Sequence, residues 1–127
     1  RYLFLGEFMT VAEIKTLWFS FEGRINRQKY WVPGSLLLMA VFIPLLVLVM
    51  LLGTVTPEVA MVAGVLLYIP LIWASLALSA KRLHDRNRSA WFMLLFLVPL
   101  VGLWPMVEIY FLPGTQGPNR FGEDPLA

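Results

Sequence analysis

The sequence predicts an all-α integral membrane protein with three transmembrane helices, the third kinked or re-entrant, and a short N-terminal interfacial helix. Three observations carry that expectation. Of the 127 residues, 59% are hydrophobic and only 14% are charged, against about 25% charged in soluble domains. The mean hydropathy of +0.74 is more than one small core can hide, so the excess needs lipid as its solvent. The basic residues sit beside apolar runs, most densely in Lys81-Arg82-Leu83-His84-Asp85-Arg86-Asn87-Arg88. This clustering sets nucleic-acid binding aside despite a net charge of +2 and a pI near 9.2. With no cysteine, disulfides, thiolate metal ligands and cysteine nucleophiles are excluded.

Residues 1–31 form the cytoplasmic or interfacial lead-in to one membrane domain. Met9 is a candidate natural start, with residues 1–8 as an extension. Thr10 and Glu13 match a capping box. Val11, Ile14, Leu17, Trp18 and Phe21 then recur near helical spacing, which predicts a helix lying in the interface.

About 20 apolar residues are needed to cross the hydrocarbon. Residues 32–52 and 59–80 meet that length without a charge, joined by a turn at 53–58 that holds Gly53 and Pro57. Arg24, Arg27 and Lys29 precede the first run, while Lys81, Arg82, Arg86 and Arg88 follow the second in the loop 81–89. The positive-inside rule makes both basic segments cytoplasmic and the turn external. No small-residue cleavage site follows the first run and a second run comes soon after, which argues against a signal peptide.

Residues 90–112 are apolar but hold Pro99, Gly102, Pro105 and Glu108. A crossing with a kink is favoured over a re-entrant segment hinged between Pro99 and Pro105. The arms of such a hairpin, about 8–10 residues each, are too short to cross alone. Pro44 and Pro70 predict further kinks. Ala60 with Gly64, and Ser75 with Ser79, are small residues four apart that favour close helix packing, most simply within the molecule. The tail 113–127 is punctuated by Pro and Gly and reads as turns, with Arg120 and Asp124 a candidate lock onto the bundle.

Three motifs carry a resemblance. Phe21-Glu22-Gly23-Arg24-Ile25-Asn26-Arg27-Gln28-Lys29-Tyr30-Trp31 follows F-x-G-R-x-x-R-x-x-Y-W. Arg82-Leu83-His84-Asp85, with Arg88-Ser89-Ala90-Trp91, follows R-L-H-D-x-x-R-S-x-W. Residues 113–125 follow P-G-T-x-G-x-N-R-[FY]-G-x-D-P. In this order around apolar runs, the motifs resemble the bacterial domain-of-unknown-function family 805 over nearly the whole chain. The resemblance implies a multi-pass protein of the cytoplasmic (inner) membrane and brings no activity with it.

The chemistry-bearing residues are weighed against plainer roles. His84 and Asp85 are adjacent, so on a helix they point about 100° apart and do not pair with each other. Catalysis is set aside on that ground, and one histidine without cysteines is poor provision for a metal. No cofactor is expected. Arg24, Arg27, Arg82, Arg86 and Arg88 are expected to share a cytoplasmic surface, where each attracts anionic headgroups by about 1 kcal/mol. Arg24 or Arg27 with Asp85 is a candidate bidentate pair. Tyr30, Trp31 and Trp91 fit an aromatic belt. Glu108, the one acid in an apolar run, is expected to snorkel to the external interface, or to meet the cytoplasmic arginines if the segment is re-entrant. In the tail, Asn119, Arg120 and Asp124 are contact candidates.

These readings favour a non-enzymatic accessory or scaffold protein. It would dock on anionic membrane lipid, on a larger membrane assembly, or on both. The alternative is an oligomeric small transporter or channel, which needs a polar path that Ser75 and Ser79 alone do not supply.

Overall fold

A computed structural model describes residues 10–126; the proposed start at Met9 and the segment before it lie outside them. Helix α1, Val11–Phe19, begins with the expected capping box. The Glu13 amide donates to Thr10 Oγ1 at 3.1 Å and the Thr10 amide to Glu13 Oε1 at 2.8 Å. Helix α2, Arg27–Leu52, starts at Asn26, whose side chain accepts from the Lys29 amide at 2.7 Å. Between Tyr30 and Leu36 this helix widens into π geometry around Pro33. Proline has no N–H and its ring meets the carbonyl four residues back, so a looser turn accommodates it.

Helix α3, Pro57–Asp85, returns antiparallel to α2. Pro57 occupies its first turn, where an N–H would lack a helical partner anyway. The Ala60–Gly64 face turns toward α2: Ala60 lies against Gly53, and Gly64 against Val49. This is packing within the molecule. Gly34 of α2 sits where a Cβ would come within 3.0 Å of Leu78, so the helices meet closely there as well. Ala74, Ala77, Ala80 and Leu83 are fully buried, and the three small alanines make room for α1 and the C-terminal segments. Elsewhere α2 and α3 are bare. Only 11% of the apolar window of each is buried, and both helices are long enough to cross a membrane.

Asn87 takes a left-handed φ of 61° and closes α3. The Asn87 amide donates to the His84 carbonyl and the Arg88 amide to the Leu83 carbonyl, at 2.9 and 2.8 Å. This is a Schellman arrangement, with Asn in the place more often taken by Gly.

Residues 90–112 depart from the favoured expectation. No continuous kinked helix forms. A 3-10 helix, Ala90–Leu97, and helix α4, Leu103–Tyr110, are joined by a tight turn in which Leu100 adopts φ 70°. A side chain at Gly102 would come within 3.0 Å of the Leu95 carbonyl and of Phe96, so only glycine lets the arms close. Each arm has 8 residues, far short of the roughly 20 needed to cross. Apart from one isolated bridge between Asn119 and Gly122, the described residues form no β-pairing.

Candidate functional site

The three sequence motifs, 60 or more residues apart at their extremes, converge where α3 ends. The centre is Arg82, whose side chain is fully buried. Its Nε donates to the Ile109 carbonyl at 2.8 Å, and Nη1 donates to Asp85 Oδ2 at 3.0 Å and to the Ile25 carbonyl at 3.5 Å. Nη2 donates to the carbonyls of Glu108, at 3.1 Å, and Leu112. Five oxygens thus meet the five N–H groups of one guanidinium. Several of them are carbonyls at the C-terminal end of α4, where helix geometry leaves acceptors unpaired and the dipole favours a cation.

Asp85 is shared. Arg24 Nε donates to its Oδ1 at 3.0 Å, opposite the Arg82 contact. The remaining Arg24 donors hold the tail, Nη1 reaching the carbonyls of Gly117 (2.8 Å) and Gly122 (3.2 Å) and Nη2 that of Thr115 (2.6 Å). The Thr115 amide in turn donates to the Asp85 carbonyl at 2.7 Å. Between them lies Gly114, at which a Cβ would overlap the Asp85 carboxylate.

Glu108 is also fully buried and forms the second acidic centre. Arg86 Nε reaches Oε1 at 2.9 Å and Arg88 Nη2 reaches Oε2 at 3.2 Å. The external-interface placement is therefore corrected: the hairpin folds Glu108 back onto the arginines. Four guanidiniums surround two carboxylates, and no buried side-chain nitrogen or oxygen among the described residues lacks a partner. Charges withdrawn from water are costly unless each is paired and hydrogen-bonded, and here each is.

His84 lies flat on Phe121, with ring centroids 4.0 Å apart and planes 6° apart. Its Nδ1 is 2.9 Å from the Gly23 carbonyl, so Nδ1 carries the proton and donates. Asn119 Nδ2 donates to the His84 carbonyl at 2.9 Å. Arg120 and Asp124 bond to separate partners rather than to each other. Arg120 donates to the Asn87 carbonyl, while Asp124 accepts from the amides of Gly117 (2.8 Å) and Leu126 (2.9 Å). Those two amides hold the Asp124 carboxyl below its ordinary pKa.

Other candidates lie at the edge. Arg27 does not reach Asp85; it donates to the Phe111 carbonyl at 2.9 Å. Trp31 Nε1 donates to the Tyr110 carbonyl at 3.0 Å and Trp91 is exposed, whereas Tyr30 is buried against Trp31 and Tyr110 rather than standing in a belt. Lys81 reads in the sequence only as one of the topology charges after the second run, yet its buried ammonium donates to the Thr16 carbonyl (2.8 Å) and to that of Leu17, at the end of α1. Gly114 was missed too. Its signal was a glycine between Pro113 and Thr115 in a tail otherwise rich in polar turn residues.

Comparison with known proteins agrees with the motifs. The profile of a family described as "Protein of unknown function (DUF805)" matches residues 18–123. The chain is 35% identical to "Inner membrane protein YhaI" of Escherichia coli (strain K12), over 83% of this chain and 85% of that one. It is 36% identical to "Inner membrane protein YhaH" of the same strain, over 83% and 86%. "Uncharacterized protein YiiR" is 32% identical over 84% and 86%. No solved structure matches.

Proposed function

The chain belongs to the DUF805 family, and from that premise we propose that it is a non-enzymatic accessory or scaffold protein of the bacterial inner membrane. In this reading α2 and α3 cross the bilayer with the 53–56 turn outside. The 90–110 hairpin enters from the cytoplasmic side and leaves on the same side. The N-terminal segment, the loop 81–89 and the tail together make one cytoplasmic face, which engages anionic lipid and any larger assembly.

One observation carries the reading: hairpin and tail both return to the arginine end of α3, where Glu108 meets Arg86 and Arg88 and Thr115 meets Asp85. A crossing third segment would pull those contacts to opposite sides of the membrane. The buried groups are mutually engaged and so act as a clasp rather than as reactants. The rim of the clasp is basic, with Arg27 and Arg120 exposed and Arg88 half exposed. Such cations draw anionic headgroups by about 1 kcal/mol each. A transport path is less well supported, since Ser75 donates back to its own helix at Leu71.

The test is native mass spectrometry of the chain extracted in uncharged detergent. Retained phosphatidylglycerol or cardiolipin, reduced in Arg27→Gln/Arg120→Gln, is the expected result. Ion flux through the purified protein in vesicles, abolished by Glu108→Gln, would instead favour the transporter.

A further inference from the structure

Away from the clasp, the inner side of α1 and the 22–29 segment line an open, surface-accessible cavity of about 320 Å³. This lies within the roughly 300–1,000 Å³ range of small-ligand sites. Its charged lining has both signs: Lys81 and Lys29 on one hand, Glu13 and Glu22 on the other. Arg24 also borders it, but that guanidinium is occupied by Asp85 and the tail.

Lys81 is the unusual member. Its residue is 3% exposed, and its ammonium donates only to two neutral carbonyls, of Thr16 and Leu17. Among the described residues it forms no ion pair, although every buried carboxylate of the clasp has two arginines. An ammonium has three donors, so one N–H is left over. A buried cation without a counter-anion is expensive, and an anion in the adjoining cavity would offset that cost. A purely anionic guest, however, would also face two carboxylates. Glu22 has no side-chain partner among the described residues, and Glu13 engages only the Thr10 amide.

We propose that this cavity binds an aminophosphate headgroup of the phosphoethanolamine type, its phosphate on Lys81 and its amine on Glu22 and Glu13. The source is a lipid of the adjoining leaflet. Helix α1 walls the cavity and presents exposed Val11 and Phe19 outward, as a helix resting at the interface does. This site is separate from the anionic-lipid rim and does not depend on it.

The experiment offers phosphatidylethanolamine, phosphatidylglycerol and phosphatidylcholine singly to the full chain in uncharged detergent, read by native mass spectrometry. Retention of the ethanolamine lipid about tenfold above the other two is expected, the worth of one charge-assisted hydrogen bond. Lys81→Met should abolish retention, but it also uncaps α1. Glu22→Gln is therefore decisive: it should erase the preference for ethanolamine over glycerol while leaving thermal unfolding unchanged. Equal retention of the ethanolamine and glycerol lipids by the unmodified chain, or an undiminished preference in Glu22→Gln, overturns the proposal. Competition by free glycerophosphoethanolamine at the lipid's own concentration would keep the aminophosphate chemistry and overturn the lipid source.

Discussion

At Gly114 the backbone passes so near the Asp85 carboxylate that a methyl group has nowhere to go. Gly114→Ala is expected to destabilise the protein by about 1–3 kcal/mol, the range for overpacked sites. Faster proteolysis of the tail and a lower unfolding temperature in detergent would report it. Arg82 is more demanding. Its five acceptors need a planar fork of donors, so Arg82→Lys keeps the charge and still orphans oxygens. Arg82→Gln, which strands Asp85 beside Arg24 alone, should cost about 3–5 kcal/mol by thermal or denaturant unfolding. Asp124 sets a pH dependence. Its folded pKa is depressed below the ordinary 3.8, so its contribution is present above that value and is lost as pH falls through the folded one. The Gly117 and Leu126 amide signals in NMR, whose N–H groups this carboxylate accepts, should therefore shift below about pH 4, and Asp124→Asn should remove that shift.

The hairpin of Ala90–Leu97 and α4 makes a topological prediction at the level of elements. A tag placed after Ala127 should be reachable only from the cytoplasm, and a cysteine at Leu100 should resist impermeant thiol reagents added outside. External labelling of the tag would remove the hairpin topology. The two long helices were legible because uninterrupted apolar runs leave few alternatives, and the capping box at Thr10 and Glu13 announced α1. The hairpin was harder to read. Pro99, Gly102 and Pro105 are compatible with a kink or a reversal, and the choice depends on whether Glu108 finds a cation. That cation comes from residues 86 and 88, some 20 positions away. The π turn at Pro33 left no clear mark, since proline alone does not distinguish a kink from a widened turn.

For the molecule as a whole, the interior and the rim of the arginine face should respond differently to salt. Raising ionic strength from 0.1 to 1 M shortens the screening length from about 10 to about 3 Å. The Asp85 pairs have side chains at most 4% exposed and should be nearly indifferent, so the unfolding temperature should hold. Sedimentation with anionic vesicles should fall over the same range. The sequence disclosed that Arg24, Arg82 and Asp85 belong together on one surface. It concealed that they act inward, on backbone carbonyls, because carbonyl acceptors have no letter of their own in a sequence.

The clasp also sets a timetable. Arg24 and Asp85 lie in segments synthesised well before Thr115, Gly117 and Gly122, the backbone groups that complete their bonding. A nascent chain halted in the hairpin lacks these acceptors and donors, so Arg24 and Asp85 stay incompletely bonded until the tail is made. The clasp therefore closes last, after every segment that it joins has been synthesised.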